Sequence, residues 1–311
     1  MTESTGRVSV VICAYTEERW TALLEALDSV ARQTVAPSEV YVVIDHNAEM
    51  ARHLREARPE VVVLENDSEH GGAGASRNIG VAAATEPVVA FLDDDAVAAP
   101  DWIERIEAEM ASPAVLGAGG RLDPIWEAPR PRWFPDEFGW VVAITYRGQP
   151  EQPEPVRNLI AANMAMRRDV FQEVGGFVPG FGKSGKRSGT EESELCIRAS
   201  QRHPDRVWIH DPAIRVRHRV PAARTTFRYF LRRCHDEGVA KAGVTRYVGA
   251  DAGLQSERHY AARVLPSGIL RELGRAITRL DPGAVLRAGA IVCGTVTTAL
   301  GYVHGRIIDR H

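Results

Sequence analysis

Pro87-Val-Val-Ala-Phe-Leu-Asp-Asp-Asp95 is the stretch on which the reading of this chain turns. Its apolar half predicts a buried parallel strand over Pro87–Leu92, and three acids follow without a break. Side chains alternate at a strand end, so Asp93 and Asp95 point the same way. Two like charges that close cost free energy unless a cation neutralises them. A divalent ion bridging a diphosphate does so, because Mg²⁺ prefers carboxylate and phosphate oxygens. The acids also suit the start of a helix over Pro100–Met110. Three of them in a row at a strand end favour the metal.

Working outward, Val8–Ala14, Glu39–Asp45 and Val61–Glu65 are further short runs rich in Val and Ile. Between them, Glu17–Gln33, Ala48–Ala57 and Ala75–Ala84 carry helical spacing, with Trp20, Leu23, Leu24, Leu27 and Val30 on one stripe. The alternation predicts an α/β chain: a mostly parallel, Rossmann-like open sheet with helices on both faces. Ligands bind such sheets beyond the C-terminal strand ends. At that edge Ala14 runs into Tyr15 and Glu17, and Glu39–Ile44 ends at Asp45. A ring and a carboxylate there can stack on a base and accept its N–H, or simply pack and cap. Gly71-Gly-Ala-Gly-Ala-Ser-Arg-Asn-Ile-Gly80 opens a helix with small residues that let a ligand approach, and Arg77 can pair with phosphate.

Further along, prolines and tryptophans between Pro113 and Pro155 predict loops and irregular strands over a cleft. Leu159–Met166 reads as a strand and Gly175–Gly189 as a mobile glycine-rich loop. Glu191–Gln201 and Thr226–Ala242 read as helices, the first with Thr190 as N-cap.

At 311 residues, with 44% apolar and 25% charged residues, the chain has the composition of an ordinary folded protein. Its net charge of −3 is uneven. From Pro212 onward 17 Lys and Arg face 7 Asp and Glu, a balance of +10 that leaves −13 on the rest. A basic end on an acidic body suits either an anionic partner or a solvated surface. Four scattered cysteines, with no C-x-x-C pair, suit free thiols in a reducing cytoplasm. The polar start MTESTGR lacks the apolar core of a secretory signal, and no stretch offers about 20 uninterrupted apolar residues.

Taken together, Val8–Tyr15, Ser76–Gly80, Phe91–Asp95, Ala162–Arg168, Gly175–Phe177 and Gly189–Leu195 resemble, in order and spacing, glycosyltransferase family 2. The resemblance covers about the first 220 residues. It implies a GT-A fold over 1–220, with 221–311 as a C-terminal helical arm. It also implies an inverting, single transfer of glucose, N-acetylglucosamine or glucuronate from a UDP-sugar donor to an acceptor hydroxyl. By position, Ala14, Tyr15, Glu17 and Asp45 would lie near the base, and Arg77, Asp93 and Asp94 near the rest of the nucleotide. Asp95 and His218 would hold Mn²⁺ or Mg²⁺, imidazole suiting Mn²⁺ better. Asn163 and Met164 would line the sugar pocket with Glu191. Relatives carry Glu-Asp where this chain has Glu191-Glu192, so Glu192 takes the place of the general base. Gly180–Gly189, with Lys183, Lys186 and Arg187, is either a lid over the donor or a surface turn. No Gln-x-x-Arg-Trp motif of the processive synthases follows Glu192.

Two other readings compete. Nucleotidyltransferases share the wound sheet and metal carboxylates but carry a glycine-rich first loop ending in Arg, which this chain lacks. A binding module without activity would lack a base or a metal ligand, and both are present. The basic segment Tyr229–His235 carries Arg232 and Arg233, which suit either a phosphate contact or a solvated face. In the arm, Leu265, Ile269, Leu273, Ile277 and Leu280 form an apolar stripe, with Arg271, Arg275 and Arg279 on another face. Such a helix lies on an anionic membrane surface or docks on protein. Ala288–Val303 reads as a packed or dimer-forming helix. The expected placement is cytoplasmic, at the inner membrane face, with a homodimer in view and no nucleic-acid partner.

Overall fold

The structure, a computed structural model, describes residues 7–178 and 191–308. The expected lid Gly180–Gly189 and cap Thr190 lie outside them. The described residues fall into two compact units. The first takes the chain up to Asp123, the stretch from Pro150, and Glu191–His218; the second takes Pro124–Gln149 and everything from Arg219.

The elements of the first unit follow one another as β1 (Val8–Ala14), α1 (Trp20–Ala31), β2 (Glu39–Asp45), α2 (Ala48–Ala57), β3 (Val62–Asn66), α3 (Ala73–Ala83), β4 (Val88–Asp93), β5 (Ala96–Ala98) and α4 (Trp102–Met110). After them come β6 (Val115–Trp126), β7 (Glu154–Val156), β8 (Asn163–Arg167), α5 (Arg168–Glu173), α6 (Glu191–Arg202) and β9 (Val207–Val220). The strands form one sheet ordered β3-β2-β1-β4-β8-β6-β9-β5, with β7 paired to β9. Strands β3, β2, β1 and β4 are parallel, and β8 enters antiparallel to both β4 and β6.

Period-two alternation decides which side chains face which layer. Val8, Val10 and Ile12 of β1 pack with Val42, Leu92 and the apolar faces of α1, α2 and α4. Val11, Val43 and Phe91 point the other way, onto α3, α5 and α6. Apolar residues therefore run continuously along the strands, as burial on both faces demands. Gly80 lets α3 lie close to β1, since a Cβ there would meet Val11 at 2.5 Å.

The second unit contains α7 (Phe227–Val248), α8 (Ala250–His259), α9 (Leu265–Thr278) and α10 (Pro282–Ile308). Its core is aromatic: Phe134, Phe138 and Phe230 are buried together with Ile291 and Leu265. The sequence between Pro113 and Pro155 suggests loops and irregular strands over a cleft. Its strand is the regular twelve-residue β6, and its aromatic side chains fill this core. Helix α10 packs along α7 through small residues. A Cβ on Gly238 would meet the Thr298 carbonyl at 2.1 Å, and one on Gly301 the His235 carbonyl at 2.1 Å.

Helix α10 is also long and apolar enough to cross a membrane by length and composition, where the sequence suggests a shorter packed or dimer-forming helix over Ala288–Val303. Glycines and threonines dilute its apolar run and hide it. The arginine face expected on α9 is mostly engaged by buried acids of the same unit. Arg271 pairs with Glu137, while Arg275 at 2.8 Å and Arg287 of α10 at 2.7 Å pair with Glu272.

Candidate active site

Three strands end side by side at one edge of the first unit. Strand β4 ends at Asp93; Asp94 and Asp95 turn the chain into β5, which pairs antiparallel with β9. In that register Ala96 faces His218, and this places the imidazole beside the acids. His218 Nε2 lies 3.1 Å from Asp95 Oδ1 and 3.9 Å from Asp93 Oδ2. The ligand atoms of Asp93, Asp95 and His218 all lie within 4.8 Å of one another. His218 reaches inward because Ile214, Val216, His218 and Val220 form the buried rank of β9, with arginines between them.

A chain of alternating charge runs through this cluster. Arg77, near the middle of α3, donates from Nη1 to Glu191 at 2.8 Å and from Nη2 to Asp93 at 2.9 Å. Burial opposes its charge, but Asp93 and Glu191, with Cys13 and Glu192, more than offset that and hold it protonated. On the other side Arg19 gives Nη1 to Asp94 at 2.8 Å and lies 3.2 Å from Asp95. Burial lifts the Asp94 carboxyl to about 6; Arg19 pulls against this, and Asp95 and Asp93 add to it. Buried Asp94 Oδ2, Glu191 Oε2 and His218 Nδ1 have no hydrogen-bond partner among the described residues. Unpaired buried carboxylate oxygens of this kind suit a site built to receive a cation or a donor group.

The neighbouring strand ends add a polar wall. Asp45 Oδ1 accepts from Asn66 at 2.8 Å, and Oδ2 accepts from the Gly72 N–H at 2.7 Å, which ties β2 to the start of α3. Gly72 turns into that helix with φ 104, a conformation that favours glycine. Tyr15 is exposed, with Arg19 over its ring, and Glu17 lies 3.5 Å from His53. Ala14 is buried at the end of β1.

Not every expected residue faces this edge. Asn163, 1% exposed, has its amide taken up inside the sheet: Oδ1 accepts from Trp102 at 2.8 Å, and Nδ2 donates to the Ile214 and Arg121 carbonyls. Met164 beside it is buried in the core on the α3 side. Arg77, expected at a phosphate, spans two carboxylates instead. Arg19 was not singled out in the sequence; it follows Tyr15 and Glu17 in a short helical turn, and only the fold brings it to Asp94.

A wound sheet with this carboxylate and imidazole edge suits a transferase acting on a nucleotide diphosphate, and comparison with known proteins says which class. The Glycosyl transferase family 2 profile matches residues 9–175. Glucosyl-dolichyl phosphate glucuronosyltransferase of Haloferax volcanii is 37% identical over 303 residues, spanning 96% of each chain. Among solved structures, a mannosyltransferase of Pyrobaculum calidifontis in complex with GDP-Man and Mn²⁺ superposes with a TM-score of 0.56 at 17% identity, covering 94% of this chain and 87% of that one. GalNAc-T7 with UDP, GalNAc and Mn²⁺ gives 0.53 at 19% identity, covering 70% of this chain and 44% of that one. The chain belongs to glycosyltransferase family 2.

Proposed function

We propose that this glycosyltransferase moves a sugar, of the glucuronate type in the first instance, from a UDP-sugar to a hydroxyl of a lipid-linked sugar, with inversion and with a divalent metal. The metal reading rests on the carboxylate and imidazole atoms of Asp93, Asp95 and His218 gathered within 4.8 Å. Two carboxylates and one imidazole suit Mn²⁺ better than Mg²⁺. When bound, the ion supplies Lewis-acid relief for the charge growing on the departing diphosphate. The acceptor class follows from the Haloferax relative, whose name joins a glucuronosyl donor to a dolichyl phosphate-linked glucose.

The chain's own residues supply the rest. Tyr15 offers a face for the base, and Asp45, Asp93 and Asp94 line the nucleotide side. Glu191 is fastened to Asp93 through Arg77, so the first turn of α6 is held at the cluster, and Glu192 is its next residue. Glu192 takes the proton of the attacking hydroxyl, which makes the oxygen a better nucleophile in a single in-line displacement. A carboxylate one methylene longer than the family's Asp sets a different reach from the helix start.

The observation that carries this reading is the Arg77 bridge, which brings the helix bearing the proposed base to the proposed metal acids. Glu192→Gln keeps the shape and removes the base. UDP binding should persist within about twofold while transfer falls by roughly 10²–10⁴. Full transfer by this variant would overturn the assignment.

A further inference from the structure

In the second unit an open cavity of about 300 Å³ lies between the Arg130–Asp136 segment and Arg275 of α9 with Arg287 of α10. Arg130, Arg132, Arg275 and Arg287 line it, with Asp136 the one acid in its wall. Arg287 is pinned, donating to Glu272 at 2.7 Å, to Asp281 at 2.7 Å and to the Arg132 carbonyl at 3.1 Å. Arg132 is the opposite case: its side chain is 76% exposed and its guanidinium lies 3.9 Å from Asp281. Four guanidiniums thus face three nearby carboxylates, and the most exposed cation is the most loosely held.

Immediately beside this cavity the chain exposes large apolar side chains. Leu280, next to Asp281, is 84% exposed, and Ile277, two residues past Arg275, is 77% exposed. Helix α10 continues outward with Val285, Val292, Val296, Leu300, Val303 and Ile307, all exposed. Their spacing keeps them on one face of a helix about 40 Å long. An apolar face of this size beside a basic pocket marks an interaction surface.

We propose that this surface docks the protein on an anionic lipid bilayer, the arginine cavity taking a lipid phosphate while Ile277, Leu280 and the outer face of α10 enter the acyl boundary. Charge decides the occupant: the chain from Pro212 carries a balance of +10, which anionic headgroups complement. A second copy is the poorer fit, because a two-fold contact through this face would set the four arginines against themselves. The helix lies in the interface plane and does not cross it. It is zipped to α7 through Gly238, Gly301 and Gly305, and α7 carries Arg232, Arg233, Asp236 and Lys241, charges that hydrocarbon excludes. An apolar face and a basic patch are the two signals that stable peripheral binding needs.

The test is co-sedimentation of the full chain with phosphatidylcholine vesicles, with and without phosphatidylglycerol. No sugar nucleotide is present, so its result is separate from that of the transfer reading. Binding is expected only with phosphatidylglycerol, weakening with salt. Arg132→Gln should weaken it about fivefold. Ile277→Gln with Leu280→Asn leaves the charge unchanged and should weaken it roughly tenfold. Asn suits Leu280's backbone, which has φ 49. Circular dichroism checks that both variants fold. Equal binding to both vesicle types, or variants that bind as the parent does, would overturn the proposal. So would a dimer in sedimentation velocity that the double variant dissolves.

Discussion

Arg77 and Glu191, 114 residues apart in the chain, meet at 2.8 Å with both side chains buried. The pair joins α3 to the first turn of α6, and the same guanidinium reaches Asp93. Removing Arg77 would leave a buried carboxylate with no cation. Arg77→Ala is expected to lower stability by about 3–5 kcal/mol. Arg77→Lys should recover little, because one ammonium cannot fork across both acids. Urea midpoints of the two variants check this, and midpoints equal to the parent's would show that the bridge is dispensable.

Asp95→Asn strips the charge from one ligand of the cluster and His218→Ala removes another, and both leave Tyr15 and Asp45 in the sequence. Calorimetry of UDP should show Mn²⁺-dependent affinity falling by tenfold or more, on the order of the loss from disturbing a metal site. Metal-free UDP affinity should hardly change. A Mn²⁺ enhancement preserved in both variants would contradict the metal assignment.

Gly74 is squeezed between the two helices of the site: a Cβ there would stand 2.7 Å from Glu191 Oε2 and 3.2 Å from Phe177 Cβ. Gly74→Ala is expected to cost about 1–3 kcal/mol as the Glu191 side chain is displaced, and to lower transfer with it. Gly289, on the outer face of α10, has nothing within 4 Å. Gly289→Ala should therefore stabilise the protein by roughly 0.5–1 kcal/mol. Thermal melts compare the two, and an equal shift for both would refute the packing argument.

Burial pushes the thiols of Cys13, Cys196 and Cys234 up to about 12, so their reactive thiolates are scarce at neutral pH. Cys293 is exposed on α10. Native protein treated with iodoacetamide should gain one adduct by mass, at Cys293, and four only after unfolding. Rapid labelling of a second cysteine in the native state would show that its helix opens.

The parallel half of the sheet was legible because strands buried on both faces must be apolar throughout, and Val8–Ala14, Glu39–Asp45 and Pro87–Leu92 are. The expected boundaries lay within a residue or two. The twelve-residue β6 was hidden by Gly117, Gly119 and Gly120, which look like loop residues. They are glycines because backbone crosses there: a Cβ on Gly120 would meet the Asp211 carbonyl at 2.0 Å. The acids were visible for a local reason, a charged run at a strand end. Their partners were not. Arg19 and Arg77 reach carboxylates 75 and 16 residues away, and no local spacing encodes such pairings. His218 carried a usable signal in the alternation from Ile214 to Val220, which puts it on the inward rank.

That alternation has a further consequence. Strand β9 reads Ile-Arg-Val-Arg-His-Arg-Val from Ile214 to Val220, and its pairing with β5 counts in twos. Slipping the strand by one residue in either direction would deliver Arg217 or Arg219 to the carboxylates in place of the imidazole. A permanent cation would then sit where an electron-pair donor belongs, closing the acids in an ion pair of their own. A slip of two restores the inward face but delivers Val216 or Val220, which offer the acids no lone pair, so only the native register places the imidazole.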